Sequence, residues 1–436
     1  MTTSSPDRAL RILLSAYTLS CVRGSEPGNS WRLAEGLARA GHHVTVITTS
    51  RYPGEHDVPP DLADRLILNF VDARAIAILR RGQLGVYANY RAWQRHSLVA
   101  ARALISSSSE TFDVIHHYSW GSLFLGSPLA ALDLPFVFGP VGGGSTSPNE
   151  MKSLYRSVDQ WKERFRAAVI SSVRLNPITR HVTKRASLIL AANSDTADLL
   201  NSLGGNSSLM MQDTTPAEWL GAAQACRQYI DRSNVIWVAR AMPRKGILLA
   251  VMVASRLPAS FTVHVVGDGK ELNRAKVLTK KLGLESRVVF HGLVPWTEVL
   301  GMYDLADVML FTSIRDTFGS QILDAASRGL PVVAIRQQGV GDFVPASAGH
   351  LVALDSPAVM AEGMAEAIID LCSNEDRYRS ASAAARSFAE EKSLSFMITE
   401  LVASYQNAIR TYGARGGRAQ KGAGAVMARD VRGNGL

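Results

Sequence analysis

The chain has 436 residues, 47% hydrophobic and 19% charged, which is too long for one core and too apolar for a disordered protein, so two globular domains with short attachments are expected. Its formal net charge of +9 is local: residues 151–186 carry nine Lys/Arg against two acids, and residues 413–436 carry five against one. With no recognisable base-reading motif the charge excludes nucleic acid as the expected partner and favours an anionic ligand or a membrane surface.

No apolar window reaches the length of a membrane span. The N-terminal "MTTSSPDRALRILLSAY" lacks the long apolar region and cleavage site of a signal peptide. Cys21, Cys226 and Cys372 are far apart and without metal-ligand spacing. They read as reduced core thiols of a cytoplasmic protein.

In chain order, "RILLSAY" (11–17) is a predicted strand, "SWRLAEGLARAG" (30–41) an amphipathic helix, and "HVTVITT" (43–49) a strand buried on both faces. Strands at 113–117, 135–144 and 187–193 continue the series. A second series opens after residue 232, at 234–241, 261–269, 287–293, 307–313, 331–336 and 349–354. Strands alternating with helices predict an α/β chain of two Rossmann-like, doubly wound lobes facing each other across a cleft. The expected first lobe is 1–212 and the second 213–412, joined through the Gly/Ser-rich stretch 202–219. The last helix is placed to pack back on the first lobe, and 413–436 reads as a disordered basic tail.

Ligands of such sheets bind at the carboxyl ends of strands, which directs attention to the following loops. "RGSEPGNSW" follows the first strand, but Gly24 and Gly28 fall short of a full G-x-G-x-x-G. Glu26 there is either a functional acid or a helix-start acid favoured by the dipole. "DVIHHYSW" puts His116 and His117 at a strand end, as site residues or as buried structural ones. "GPVGGG" (139–144) supplies a flexible glycine wall able to admit a bulky ligand. "VVGDG" brings Gly267 to a tight turn that lets a ligand approach the backbone. "VARAMPRKG" places Arg240 and Lys245 five apart, forming an anion site or a solvated basic turn.

"TSIRDTFGSQILDAASRGLPVVA" (312–334) sets Asp316 on a loop at a strand end. Phe318, Gly319 and Ser320 then open a helix, and Asp324 lies on the same face as Ser320. Free amides near Gly319 and Ser320 can take a phosphate oxygen. Asp316 can accept from sugar hydroxyls and Asp324 from a diol such as a ribose, which is the layout of a nucleotide sugar. The alternative is a helix with an exposed Asp at each end.

"RAMPRKG" and "DTFGSQILDAASRGLPVVA" together resemble the retaining glycosyltransferases of family 4, which have the two-lobed GT-B fold. "SCVRGSEPGNSW", "DVIHHYSWGS" and "PFVFGPVGGG" are similar to a branch acting on polysaccharide or natural-product acceptors. The resemblance implies transfer from a nucleotide-diphosphate sugar to a small-molecule, glycan or lipid-linked acceptor through O, N or S, with no cofactor beyond the donor. No convincing Asp-x-Asp motif is present, so no metal is expected. Arg240 and Lys245 would hold the diphosphate, Asp316 the donor sugar and Asp324 the ribose. The backbone at Phe318, Gly319 and Ser320 would face sugar and phosphate, and the loop with Gly28 would close over diphosphate and acceptor. His117 would stand near the reacting carbon.

Two departures stand out. Both acids are Asp where the family has Glu, and His116-His117-Tyr118 replaces His-x-His. A sugar-nucleotide epimerase of the same fold or a catalytically weak nucleotide-sugar-binding subunit are the other readings. Residues 151–186, with Trp161 and Phe165 among basic residues, read as a peripheral contact with an anionic membrane, a docking surface for an acidic acceptor, or a solvated helix face.

Overall fold

The computed structural model describes residues 8–23, 25–73, 82–108, 111–220 and 233–430. Gly24, Cys226 and the last six residues lie outside the described residues.

Two parallel sheets form the framework. The first contains β1 (Arg11–Ala16), β2 (His43–Thr48), β3 (Leu66–Phe70), β4 (Val114–Ser119), β5 (Phe136–Val141), β6 (Leu188–Ala191) and β7 (Ser207–Leu209), in the order 3-2-1-4-5-6-7. The second contains β8 (Asn234–Val238), β9 (Thr262–Val266), β10 (Val288–Gly292), β11 (Val308–Phe311), β12 (Val332–Ile335) and β13 (Gly349–Val352), in the order 10-9-8-11-12-13. Each is a doubly wound lobe whose order reverses beside its first strand, and there the crevice for a ligand opens. Helices cover both faces, which is why central strands such as β6 and β11 are buried at every position.

Two edge strands escape the sequence reading. β3 reads LILNF, as apolar as a buried strand, but its place at the sheet edge leaves Ile67 and Phe70 exposed. The three residues of β7 lie inside the stretch read as a linker.

The helix Leu394–Asp430 returns to the first lobe, where Met397, Ile398, Leu401, Tyr405 and Ala408 join the core beneath β1 and β4. Tyr405 Oη lies 2.7 Å from His116 Nδ1. The segment 413–436, expected as a disordered tail, therefore begins inside a helix. No helix among the described residues is long and apolar enough to cross a membrane.

The lobes are bridged through the segment after β5. Met151, Leu154 and Tyr155 enter the core of the second lobe. Glu163 takes both arms of the Arg315 guanidinium at 2.9 and 3.0 Å, and Lys270 reaches Asp159 at 2.8 Å. The acids of the basic run thus face the second lobe, while Val158, Trp161, Phe165 and Leu175 stay exposed. Cys372 is a buried thiol, but Cys21 is exposed. The reading of Cys21 as a core thiol is corrected: it sits in the irregular turn after β1.

Candidate functional site

The site grows from the paired ends of β8 and β11. Thr312, just past β11, accepts from Trp237 Nε1 at 2.8 Å and donates to the Gly246 carbonyl at 2.9 Å. This staples the loop after β8 to the loop after β11. Gly246 has φ +69°, and a Cβ there would lie 2.1 Å from the Thr312 carbonyl oxygen, so only glycine closes the staple.

The staple delivers Lys245, 7% exposed, onto Asp316, where its ammonium forms an ion pair with Oδ2. Ser313 Oγ donates to the same oxygen at 3.1 Å, and Arg244 Nη1 stands 3.4 Å from Oδ1. The Asp316 amide donates to Gln338 Oε1 at 2.8 Å, and Gln338 reaches across the cleft to the Thr146 carbonyl at 3.0 Å. Burial pushes the Asp316 carboxyl up, but Lys245, Arg244 and Ser313 outweigh it and hold it below its ordinary value. Burial works against the Lys245 ammonium, and Asp316 is its counter-ion.

Gly319 has φ +118°, and a Cβ there would meet the Phe311 ring at 2.4 Å. The chain can therefore lie flat on that ring and expose its backbone only as glycine. Phe318 is buried edge-on against Phe343, so it has only backbone to offer a ligand. Ser320 is exposed immediately before the helix Gln321–Ser327. Asp324 is 5% exposed, and burial first, then Asp213, pushes its carboxyl well above the usual range. A helix with an exposed Asp at each end is ruled out by this burial.

Arg240 lies exposed past β8 and makes no side-chain hydrogen bond or ion pair among the described residues. The position beside Asp316 belongs instead to Arg244, which a search for a five-residue spacing passes over. Gly267, at φ +127°, presses the loop after β9 against the Ala239 carbonyl, 2.0 Å from where a Cβ would sit. Gly28 is set by its own turn, since a Cβ would lie 2.0 Å from the Arg23 carbonyl, and it is not on the cavity wall.

The opposite wall corrects one expected site residue. His117 is fully buried on the far face of β4, with Nε2 2.8 Å from Tyr90 Oη and Nδ1 3.1 Å from Ser127 Oγ. Burial pulls its pKa down to about 3, so it is neutral and both nitrogens are occupied. It is a structural histidine, as is His116, held between Tyr405 and the Gly139 carbonyl at 2.7 Å each. Tyr118 and Ser119, at the end of β4 where the pairing with β1 shifts register, line the cavity instead, and the buried Tyr118 hydroxyl has no hydrogen-bond partner among the described residues. The cavity holds about 480 Å³ between the lobes. Glu26, Tyr87, Trp120 and Gly142 line it from the first lobe, and Thr317, next to Asp316, from the second.

Comparison with known proteins agrees with both halves of this arrangement. The family "Glycosyl transferases group 1" matches residues 228–388, and "Glycosyl transferase 4-like domain" matches residues 30–211. The chain belongs to the family 4-like glycosyltransferases of the GT-B fold. The 2-deoxystreptamine N-acetyl-D-glucosaminyltransferase of Streptomyces fradiae is 25% identical over 370 residues, 81% of this chain and 84% of that one. The 2-deoxystreptamine glucosyltransferase of Streptomyces kanamyceticus is 26% identical over 350 residues, 76% and 85% of the two chains. Among solved structures, Anabaena Alr3699/HepE in complex with UDP superposes with a TM-score of 0.55 at 15% identity, covering 91% of this chain and all of that one.

In this glycosyltransferase the stretch between the sheets also contributes. Asp213 is half-buried, and burial first, then Asp316, raises its carboxyl against the opposing charges of Arg32 and Lys245. It lies in "MMQDTTP", which reads as a linker because nothing local marks a crossover segment for burial. The glycine wall is part of the transferase's closed cleft: a Cβ on Gly142 would lie 3.5 Å from Thr317.

Proposed function

We propose that the chain moves a sugar from a nucleotide-diphosphate sugar to a small-molecule or glycan acceptor, with retention of configuration and without a metal. The observation that carries this reading is the Lys245–Asp316 pair beside the Gly319 backbone, at the switch point of the second sheet and one residue from the wall of the interlobe cavity. UDP in the HepE complex and the names of the two Streptomyces relatives support a nucleotide donor and a small acceptor.

As the bond from the sugar to the diphosphate breaks, negative charge grows on the departing phosphate. Lys245, the unengaged Arg240 and the amides at Gly319 and Ser320 offset it with groups already in place, at little reorganisation cost. Asp316 fixes the Lys245 ammonium and accepts from a sugar hydroxyl, and Asp324 accepts from the ribose. The acceptor enters from the first-lobe side and attacks the face that the phosphate leaves. Its proton passes to that phosphate, so the products are the glycosylated acceptor and the nucleoside diphosphate.

Incubation with UDP-, GDP- and ADP-sugars, each with and without aminocyclitol, cyclitol and glycan acceptors, tests the reading by NMR. A product retaining the donor's anomeric configuration, formed only with acceptor, is expected. Inversion would remove the same-face mechanism, and an epimerised sugar without acceptor would establish the epimerase alternative.

We further propose peripheral membrane contact through the exposed stripe Val158, Trp161, Phe165 and Leu175, which is flanked by Lys162, Arg164 and Arg174. Co-sedimentation with vesicles containing anionic lipid should fall at least about tenfold in a Trp161→Ala/Phe165→Ala variant. Equal sedimentation would make this a solvated face.

A further inference from the structure

Glu26 stands in the first turn of the helix Ser25–Arg39, past the end of β1. An acid there is favoured by the helix dipole, but a residue serving only that purpose keeps its carboxylate in water. Glu26 does not. Its Oε1 is buried with no hydrogen-bond partner among the described residues, and the side chain lines the interlobe cavity. Burial raises its pKa to about 7, against opposing hydrogen bonds from Ser119 and Trp120, with no cation among the described residues contributing to the balance. A half-satisfied buried carboxyl is costly unless something completes it.

The surrounding side chains narrow what that is. Trp120 and Tyr87 form an aromatic corner of the same cavity, ring centroids 6.1 Å apart at 75°. Such rings favour a cation over an anion. The unpartnered Tyr118 hydroxyl and Ser122 add groups for neutral hydroxyls. A volume near 480 Å³ lies within the range of small-molecule sites.

We propose that Glu26 is the acceptor-recognising residue and that the acceptor is an amino-bearing polyol, whose ammonium group it takes beside Trp120 and Tyr87. This rests on the glycosyl-transfer reading and deepens it. A neutral polyol leaves Oε1 without a charge partner, and a phosphorylated one is repelled.

The test is calorimetric titration of the full chain, saturated with whichever of UDP, GDP or ADP it binds, and free if it binds none. The three ligands are 2-deoxystreptamine, a neutral cyclitol and a cyclitol phosphate. The amine is expected to bind at least about tenfold more tightly than the other two, and Glu26→Gln to lose about 10- to 100-fold in amine affinity. Nucleotide affinity in that variant should match the unsubstituted chain, and Glu26→Asp should recover part of the loss. Equal or tighter binding of the neutral or phosphorylated cyclitol overturns the proposal, as does unchanged amine affinity in Glu26→Gln. Failure to bind any nucleotide counts against the donor reading instead, and the amine preference of the free chain then still decides the role of Glu26.

Discussion

Replacing Lys245 by Ala is expected to lower kcat by roughly 10²–10³-fold, the cost of removing one preorganised donor from a developing negative charge. The side chain is 7% exposed and reaches its place because Gly246 and Thr312 tie two loops together. An ammonium held this way costs little to reorganise during bond breaking. Ground-state donor affinity should change less than turnover, because Arg240 is still available to the diphosphate. Asp316 would retain Ser313 at 3.1 Å and Arg244 at 3.4 Å, so the variant keeps partners for the acid. Steady-state kinetics with donor titration separate the two effects, and turnover equal to that of the unsubstituted chain would remove Lys245 from the reaction.

Asp316→Asn should cost at least about 10²-fold in kcat/KM, and it carries a pH signature as well. Burial already works against the Lys245 ammonium, and Asp316 supports it. Without the counter-charge the Lys245 pKa falls further, so the alkaline limb of the pH–rate profile should move to lower pH. An alkaline limb that stays in place would mean that Lys245 does not depend on this acid. The stability effect has the opposite window. The folded-state pKa of Asp316 lies below its unfolded value of about 3.9, so the contribution of the pair is present above that pH and lost as pH falls through the folded value.

The lobes, the parallel sheets and the acid loop were legible because each has a local signature. Buried parallel strands are apolar runs, and Asp316 and Gly319 sit at fixed offsets from one of them. What stayed hidden depends on three-dimensional burial. His117 and Tyr118 differ by one residue in sequence but face opposite sides of β4, and the sheet assigns the first to the core and the second to the cavity. Asp213 looks like linker polarity until the crossover between lobes brings it near Asp316 and Lys245. Arg244 was overlooked beside Lys245 because the 3-10 turn Pro243–Lys245, which brings it to Asp316, is not encoded in residue spacing. The acids of the basic run after β5 carry no local mark of a partner, yet Asp159 and Glu163 meet Lys270 and Arg315 of the other lobe.

The most direct measurement is a calorimetric titration of UDP-, GDP- and ADP-sugars into the unsubstituted chain and into an Arg240→Glu/Lys245→Glu variant. One donor should bind the unsubstituted chain at a single site, with affinity falling at least about 100-fold in the variant, as expected when two charge-assisted contacts become repulsive. Equal affinity in the two proteins would contradict the account, because the diphosphate would then lie somewhere other than beside Lys245 and Gly319.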